Sequence, residues 1–112
     1  MKNPKFQIFK SRDNQFRFRL IARNGRIILA SEGYVARAGC QNGIDSVKVN
    51  ARFERRFQRE VSKKGSPYFV LRAKTGEPIG NSEMYKTKWG REKGIEAVKR
   101  IAPSAPVEDT TR

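Results

Sequence analysis

The chain has 112 residues and carries 25 Lys and Arg against 11 Asp and Glu, a net charge of +14. That length predicts one domain, and the charge draws polyanions at long range while opposing compaction through self-repulsion. One cysteine and no histidine exclude an intrachain disulfide and leave too few ligands for a zinc site, so no cofactor and no metal are expected.

In chain order, residues 1–4 read as a loose entry, and Phe6-Gln7-Ile8-Phe9 as a short strand. Arg12 to Gln15 is polar turn chemistry. Phe16, Phe18, Leu20 and Ala22 then alternate with Arg17, Arg19, Ile21 and Arg23, the period of a half-buried antiparallel strand. Asn24-Gly25 predicts a type I′ hairpin turn into a third strand, Arg26 to Ala30. After the corner Ser31-Glu32-Gly33-Tyr34, the residues Cys40, Ile44, Val47 and Ala51 form one apolar stripe of a helix over about 36–50. Gly43 costs that helix about 1 kcal/mol relative to alanine, which points to a close backbone approach.

A strand is expected from about Phe53 to Val61, then a second central strand through Tyr68, Val70 and Arg72. Pro78 and Gly80 predict a third strand that is short or at an edge. A second helix is predicted over about 87–101, with Thr87 as its N-cap and a Glu96–Arg100 pair on its surface. The tail, with Pro103 and Pro106, is expected to be mobile over 103–112. The opening residues lack an apolar signal region and no segment approaches a membrane span, so a cytoplasmic protein without membrane contact is expected.

The second half repeats the first at an offset of 51. Phe18 falls on Phe69, Leu20 on Leu71, Ser31-Glu32 on Ser82-Glu83, Tyr34 on Tyr85, and Gly43-Ile44 on Gly94-Ile95. From Phe6 to Ala51 about 17 of 46 positions match without a gap. Two tandem units, 5–52 and 53–102, are therefore expected to share one core. The predicted fold is α+β: two βββα repeats forming one antiparallel sheet, with both helices packed on one face and a pseudo-twofold between them. Duplication within the chain predicts a monomer that is an internal pseudo-dimer.

The order of aromatic strand, F-x-F-x-L-x-A, N-G, I-I-L-x-S-E-x-Y and a helix ending G-I-x-S-V-K-x-N-A resembles the repeat of the YegP-like family of small bacterial proteins. Residues 67–85 and 91–99, PYFVLRAKTGEPIGNSEMY and REKGIEAVK, resemble its second repeat. The resemblance implies a single sheet in which the segment after each helix is exchanged between halves, with 53–61 as a linking strand. It implies no established activity.

For function, parity puts Arg17, Arg19 and Arg23 opposite Phe18 and Leu20. The same face of the second copy carries Tyr68, Val70, Arg72 and Lys74. Guanidinium groups beside an aromatic on an open sheet suit phosphates and unstacked bases. The reading is a non-enzymatic protein that binds DNA or RNA with little sequence preference through Arg17, Arg19, Arg23, Tyr68, Arg72 and Lys74. The alternative is a protein-interaction module that grips an acidic partner or adds a strand at a sheet edge. A second basic zone is Arg52, Arg55, Arg56, Arg59, Lys63 and Lys64. The repeated Ser-Glu-x-Tyr corners could pair Glu32 with Glu83 for acid–base chemistry, but satisfying the backbone at a corner explains them with less, and no catalytic residue is assigned. Cys40 lies on the apolar stripe and is read as a buried thiol.

Overall fold

A computed structural model describes residues 3–112; of the expected loose entry, residues 1 and 2 lie outside the described residues. The elements are β1 (Lys5–Lys10), β2 (Phe16–Ile21), β3 (Ile27–Ala30), α1 (Arg37–Asn50), β4 (Phe57–Val61), β5 (Pro67–Arg72), β6 (Pro78–Asn81), α2 (Lys88–Ile101) and β7 (Val107–Asp109). They build one seven-stranded sheet in the order β4-β5-β6-β3-β2-β1-β7. The two βββα units meet at β3 and β6, where Ala30 pairs with Asn81. These two residues are equivalent in the repeat, so the pseudo-twofold passes between them.

Alternation along each strand sends one set of side chains to the helices. Phe6, Ile8, Phe18, Leu20 and Leu29 from the first unit and Phe57, Phe69 and Leu71 from the second join Cys40, Ile44, Val47, Ile95 and Val98 of the helices in a single core. The aromatic packing is duplicated as well. Phe6 meets Phe18 edge-on at 6.0 Å and Phe18 stacks on Tyr34 at 6.4 Å, while Phe57 meets Phe69 at 5.7 Å and Phe69 stacks on Tyr85 at 6.4 Å. Such pairs contribute about 0.5–1.5 kcal/mol beyond the area they bury.

All four hairpin turns have the same form. Gly25 (φ 83°) and Gly76 (φ 94°) close β2–β3 and β5–β6, and Asn14 (φ 66°) and Gly65 (φ 88°) close β1–β2 and β4–β5. In the first, Gly25 N–H donates to Ala22 O and Ala22 N–H to Arg26 O, both at 2.9 Å. Only one residue per turn is left-handed, so this is the three-residue hairpin loop rather than the type I′ turn predicted at Asn24-Gly25. Asn24 instead accepts from Arg26 N–H at 3.0 Å.

Other expectations also shift. The stretch predicted as strand from Phe53 begins with a 3-10 turn over Glu54–Arg56, and β4 starts at Phe57. β6 is short, but it sits at the centre of the sheet; Pro78 is its first residue, where the missing N–H costs least. Thr87 caps α2 as predicted, accepting from Gly90 N–H at 2.9 Å, whereas Glu96 pairs with Lys99 at 3.6 Å rather than with Arg100.

The largest departure is the tail. Residues 103–112, expected to be mobile, turn through Ala102–Ser104 and form β7, which lies parallel to β1. The sheet is therefore mixed rather than wholly antiparallel. The exchange implied by the resemblance is visible here: β4, which follows α1, pairs with β5 of the second unit, and β7, which follows α2, pairs with β1 of the first.

Candidate functional site

The sheet face away from the helices has no layer over it, and four of the six predicted binding residues lie there. Alternation places Lys5, Gln7 and Phe9 of β1 on this face, with Arg17 and Arg19 of β2, Gln58 of β4, and Tyr68, Val70 and Arg72 of β5. Each arginine is held in place. Arg19 Nε donates to Gln7 Oε1 at 2.8 Å and its guanidinium lies over the Phe9 ring at 4.3 Å. Arg72 Nε donates to Gln58 Oε1 and Arg72 Nη1 to Gly76 O at 2.8 Å. Gln7 and Gln58 are equivalent in the repeat, so duplication has kept an amide acceptor for an arginine in both halves. Arg17 donates to Ser11 Oγ at 2.9 Å and meets Asp13 at 3.2 Å.

The partners of Arg19 and Arg72 are neutral, so both keep their charge and their outward donors. The strands that carry Arg19 and Arg72 stand three inter-strand steps apart, roughly 14 Å, and Arg72 lies two residues further along β5 than Val70, which faces Arg19 across the exposed Ala30 and Asn81. At this seam β3 and β6 diverge beyond their single pair, leaving a depression of about 490 Å³.

Arg23 and Lys74 do not join this face. Both sit in exposed hairpin turns, where the strand parity that assigned them no longer applies. Arg23 instead borders a cleft on the helix side of the sheet. The second basic zone is divided too. Arg52, Arg55 and Arg56 surround the ring of Phe53 at 5.8, 5.0 and 5.5 Å. Arg59 is clamped by Glu54 and Glu92, each at 2.6 Å. This clamp holds both carboxyls below their usual range, chiefly through their hydrogen bonds to Arg59. Sequence reasoning missed Phe9 and the two glutamines as parts of the open face. Their signals were the parity of Phe9 against Ile8 and the identity of Gln7 and Gln58 at equivalent positions.

The Ser-Glu-x-Tyr corners have a structural role. Ser31 Oγ accepts from Phe18 N–H at 2.9 Å and donates to Glu32 O at 2.8 Å; Ser82 does the same for Phe69 N–H at 2.9 Å and Glu83 O at 2.7 Å. Each serine thus satisfies a buried strand amide where the ladder ends. Ser82→Ala leaves the Phe69 amide without that acceptor and is expected to cost about 1–2 kcal/mol, read as a lower urea midpoint with Ser31→Ala giving a similar loss. Glu83 pairs with Arg26 at 2.8 Å. Tyr34 and Tyr85 seat their hydroxyl ends against Gly43 and Gly94, which is the close approach the two helix glycines predicted. Burial raises the pKa of both tyrosines. Burial, with Asp109 adding to it, pushes the Cys40 thiol up to about 11, which keeps it protonated at neutral pH.

Among the described residues no group of three or more acidic, cysteine or histidine side chains could hold a metal ion, and no helix is long and apolar enough to cross a membrane.

Comparison with known proteins places this architecture. The sequence profile of a family described as a domain of unknown function, DUF1508, matches twice, over residues 11–56 and 62–109. A UPF0339 protein of Bordetella pertussis is 49% identical over 94% of this chain and 95% of its own length. The UPF0339 protein YegP of Shigella flexneri is 44% identical over 95% and 96%. Among solved structures, the solution NMR structure of yegP from E. coli, a protein of unknown function, superposes with a TM-score of 0.91. It is 41% identical and the match covers 98% of this chain and 95% of that one. A UPF0339 protein of Shewanella oneidensis gives a TM-score of 0.89 at 38% identity, covering 96% and 92%. With two tandem matches to the profile and full-length relatives at these identities, the chain belongs to the uncharacterised DUF1508 family, the UPF0339 or YegP-like proteins.

Proposed function

We propose that the open sheet face binds single-stranded or duplex nucleic acid with little sequence preference. The observation that carries this reading is the pair of arginines, Arg19 and Arg72, anchored by the equivalent amides of Gln7 and Gln58 on a face without a covering layer. An anchored guanidinium loses little further rotamer freedom on meeting a phosphate, and its neutral partner leaves the charge available. Phe9 and Tyr68 flank the arginines and supply surfaces on which bases stack. Arg23 and Lys74, in their turns, extend the positive field at the rims rather than making contacts on the face.

The test is a titration with single-stranded and duplex DNA and RNA at low and near-physiological salt, with heparin as a polyanion that has no bases. Affinity is expected to fall by roughly 0.9 log unit per log unit of salt for each duplex phosphate neutralised. Replacing Arg17, Arg19 and Arg72 together by alanine is expected to weaken binding at least about 30-fold and to flatten that salt slope. Unchanged affinity in the triple variant removes the reading. Binding to heparin as tight as to any nucleic acid would make the +14 charge a bulk property and favour the interaction-module alternative. That alternative would draw on β4, which has a neighbour on one side only, whereas its equivalent β1 is flanked by both β2 and β7.

A further inference from the structure

On the other side of the sheet, a cleft of about 450 Å³ lies between the β2–β3 turn, the corner after β6 and the flank of α2. Four cationic side chains border it: Arg23 and Arg26 from the turn, Lys93 and Arg100 from the helix. One carboxylate does, Glu83, and it is engaged by Arg26 at 2.8 Å.

Duplication supplies an internal comparison. At the equivalent positions the first helix and second turn carry Lys74, Glu77, Asn42 and Val49, and Glu83 corresponds to Glu32. Of these equivalents one is a cation and two are carboxylates. Ile101, at the base of the cleft, corresponds to Asn50, which accepts from Arg56 Nε at 3.0 Å and donates to Ser46 O at 2.8 Å. That position is thus filled from within the chain. The two halves keep the same residue at core positions such as Phe18/Phe69, Leu20/Leu71, Ile44/Ile95 and Val47/Val98, whereas around this cleft they have diverged in one direction, toward positive charge around an open space.

Two further features are specific to this half. Trp89, where the first unit has Ala38, is 70% exposed on α2, and Lys93 lies over its ring at 4.4 Å. The Tyr85 hydroxyl at the cleft wall is, among the described residues, the buried side-chain polar atom without a hydrogen-bond partner.

We propose that this cleft binds the phosphate groups of a free nucleotide, with Arg23, Arg26 and Arg100 as phosphate ligands and Trp89, which adjoins the cleft through Lys93, as the aromatic surface for the base. An open cleft of this size falls in the range of small-molecule sites. Planar guanidinium groups match phosphate oxygens two at a time. The site is independent of the open-face reading, because it lies on the opposite side of the sheet and shares none of Arg17, Arg19 and Arg72.

Trp89 is the chain's one tryptophan and Lys93 of the cleft lining lies over its ring, so its fluorescence is a probe adjoining the cleft. The full chain is titrated with ATP, adenosine, pyrophosphate and a single-stranded deoxythymidine decamer. ATP is expected to change the emission saturably, pyrophosphate to compete with it, and adenosine to bind far more weakly. Arg23→Ala with Arg100→Ala is expected to weaken ATP roughly tenfold or more. Lys74→Ala, the equivalent position in the other half, and the Arg17, Arg19, Arg72 triple variant should leave ATP binding unchanged. All substituted cations are exposed or half-buried, and far-ultraviolet circular dichroism checks the fold. No response to ATP, a response lost in the triple variant but kept in the cleft variant, or a response to the decamer alone would each overturn the proposal.

Discussion

A chain ended at Ser104 is expected to lose about 4 kcal/mol of stability, a large share of the 5–15 kcal/mol typical of a domain. The removed segment is bound along its length. Phe6 N–H donates to Pro106 O at 2.8 Å, Thr110 N–H to Ile8 O at 3.0 Å, and Thr110 Oγ1 to the same carbonyl at 2.7 Å. Hydrogen bonds of this kind contribute about 1 kcal/mol each. Ala105 is buried and Val107 packs against the core, so apolar burial adds a further 1–2 kcal/mol or so. Asp109 binds Arg37 at 3.0 Å and so fastens the tail to the start of α1. The half-exposed Lys5–Glu108 pair adds little. Truncation also bares the outer edge of β1, where Phe6 and Ile8 are fully buried in the intact protein. An unprotected apolar edge is a template for pairing with another chain, so the truncated protein is expected to self-associate as well as to melt earlier. Urea unfolding and sedimentation of the two chains measure both effects. An unchanged midpoint would mean that β7 contributes nothing, as a mobile tail would.

The origin of β7 shows where the sequence stops being informative. The βββα units were legible because their signals are periodic and occur twice: alternation through Phe16, Phe18 and Leu20, the stripe through Cys40, Ile44 and Val47, and a second copy that decided ambiguous positions. β7 has three residues, two nearby prolines and acidic side chains, and its strand character comes entirely from β1. Its partner lies about a hundred residues away, beyond the reach of any local pattern. The 3-10 turn at Glu54–Arg56 was hidden for a related reason. The repeat aligns it with residues 105–107, which differ in structure, so the copy gave no help. The open face was partly legible. Strand parity located Arg17, Arg19, Tyr68 and Arg72, but it fails once the chain leaves the strand, which is why Arg23 and Lys74 were placed wrongly. Parity also says nothing about which acceptor will hold a guanidinium. The helix-side cleft needed the third dimension, because its lining comes from a turn and from a corner and a helix more than 50 residues further along the chain.

Gly94→Ala and Gly43→Ala are each expected to destabilise the protein by about 2 kcal/mol, and by about 4 kcal/mol together. Local propensity alone predicts the opposite sign, because alanine favours a helix interior over glycine by about 1 kcal/mol. The Tyr corners decide against it. A Cβ on Gly94 would stand 2.1 Å from Tyr85 Oη and 2.6 Å from Cζ; on Gly43 it would stand 2.4 and 2.9 Å from the same atoms of Tyr34, and 3.0 Å from Phe18 Cε2. The tyrosines cannot swing aside at low cost, since each ring stacks on the central phenylalanine of its unit. Overpacking of this kind costs typically 1–3 kcal/mol, and more where the neighbours are rigid. The sites lie in different units, so the two losses should add. Tyr85→Phe separates the contributions. It removes a hydroxyl that has no partner, so alone it is expected to be neutral or slightly stabilising. In the Gly94→Ala background it should recover part of the loss, since Oη is the nearest clashing atom and Cζ remains. Urea midpoints of the four proteins in that cycle measure the coupling. If Gly94→Ala raises stability by the helix-propensity increment, then Tyr85 yields freely, and the duplicated glycines are not there to admit the tyrosines.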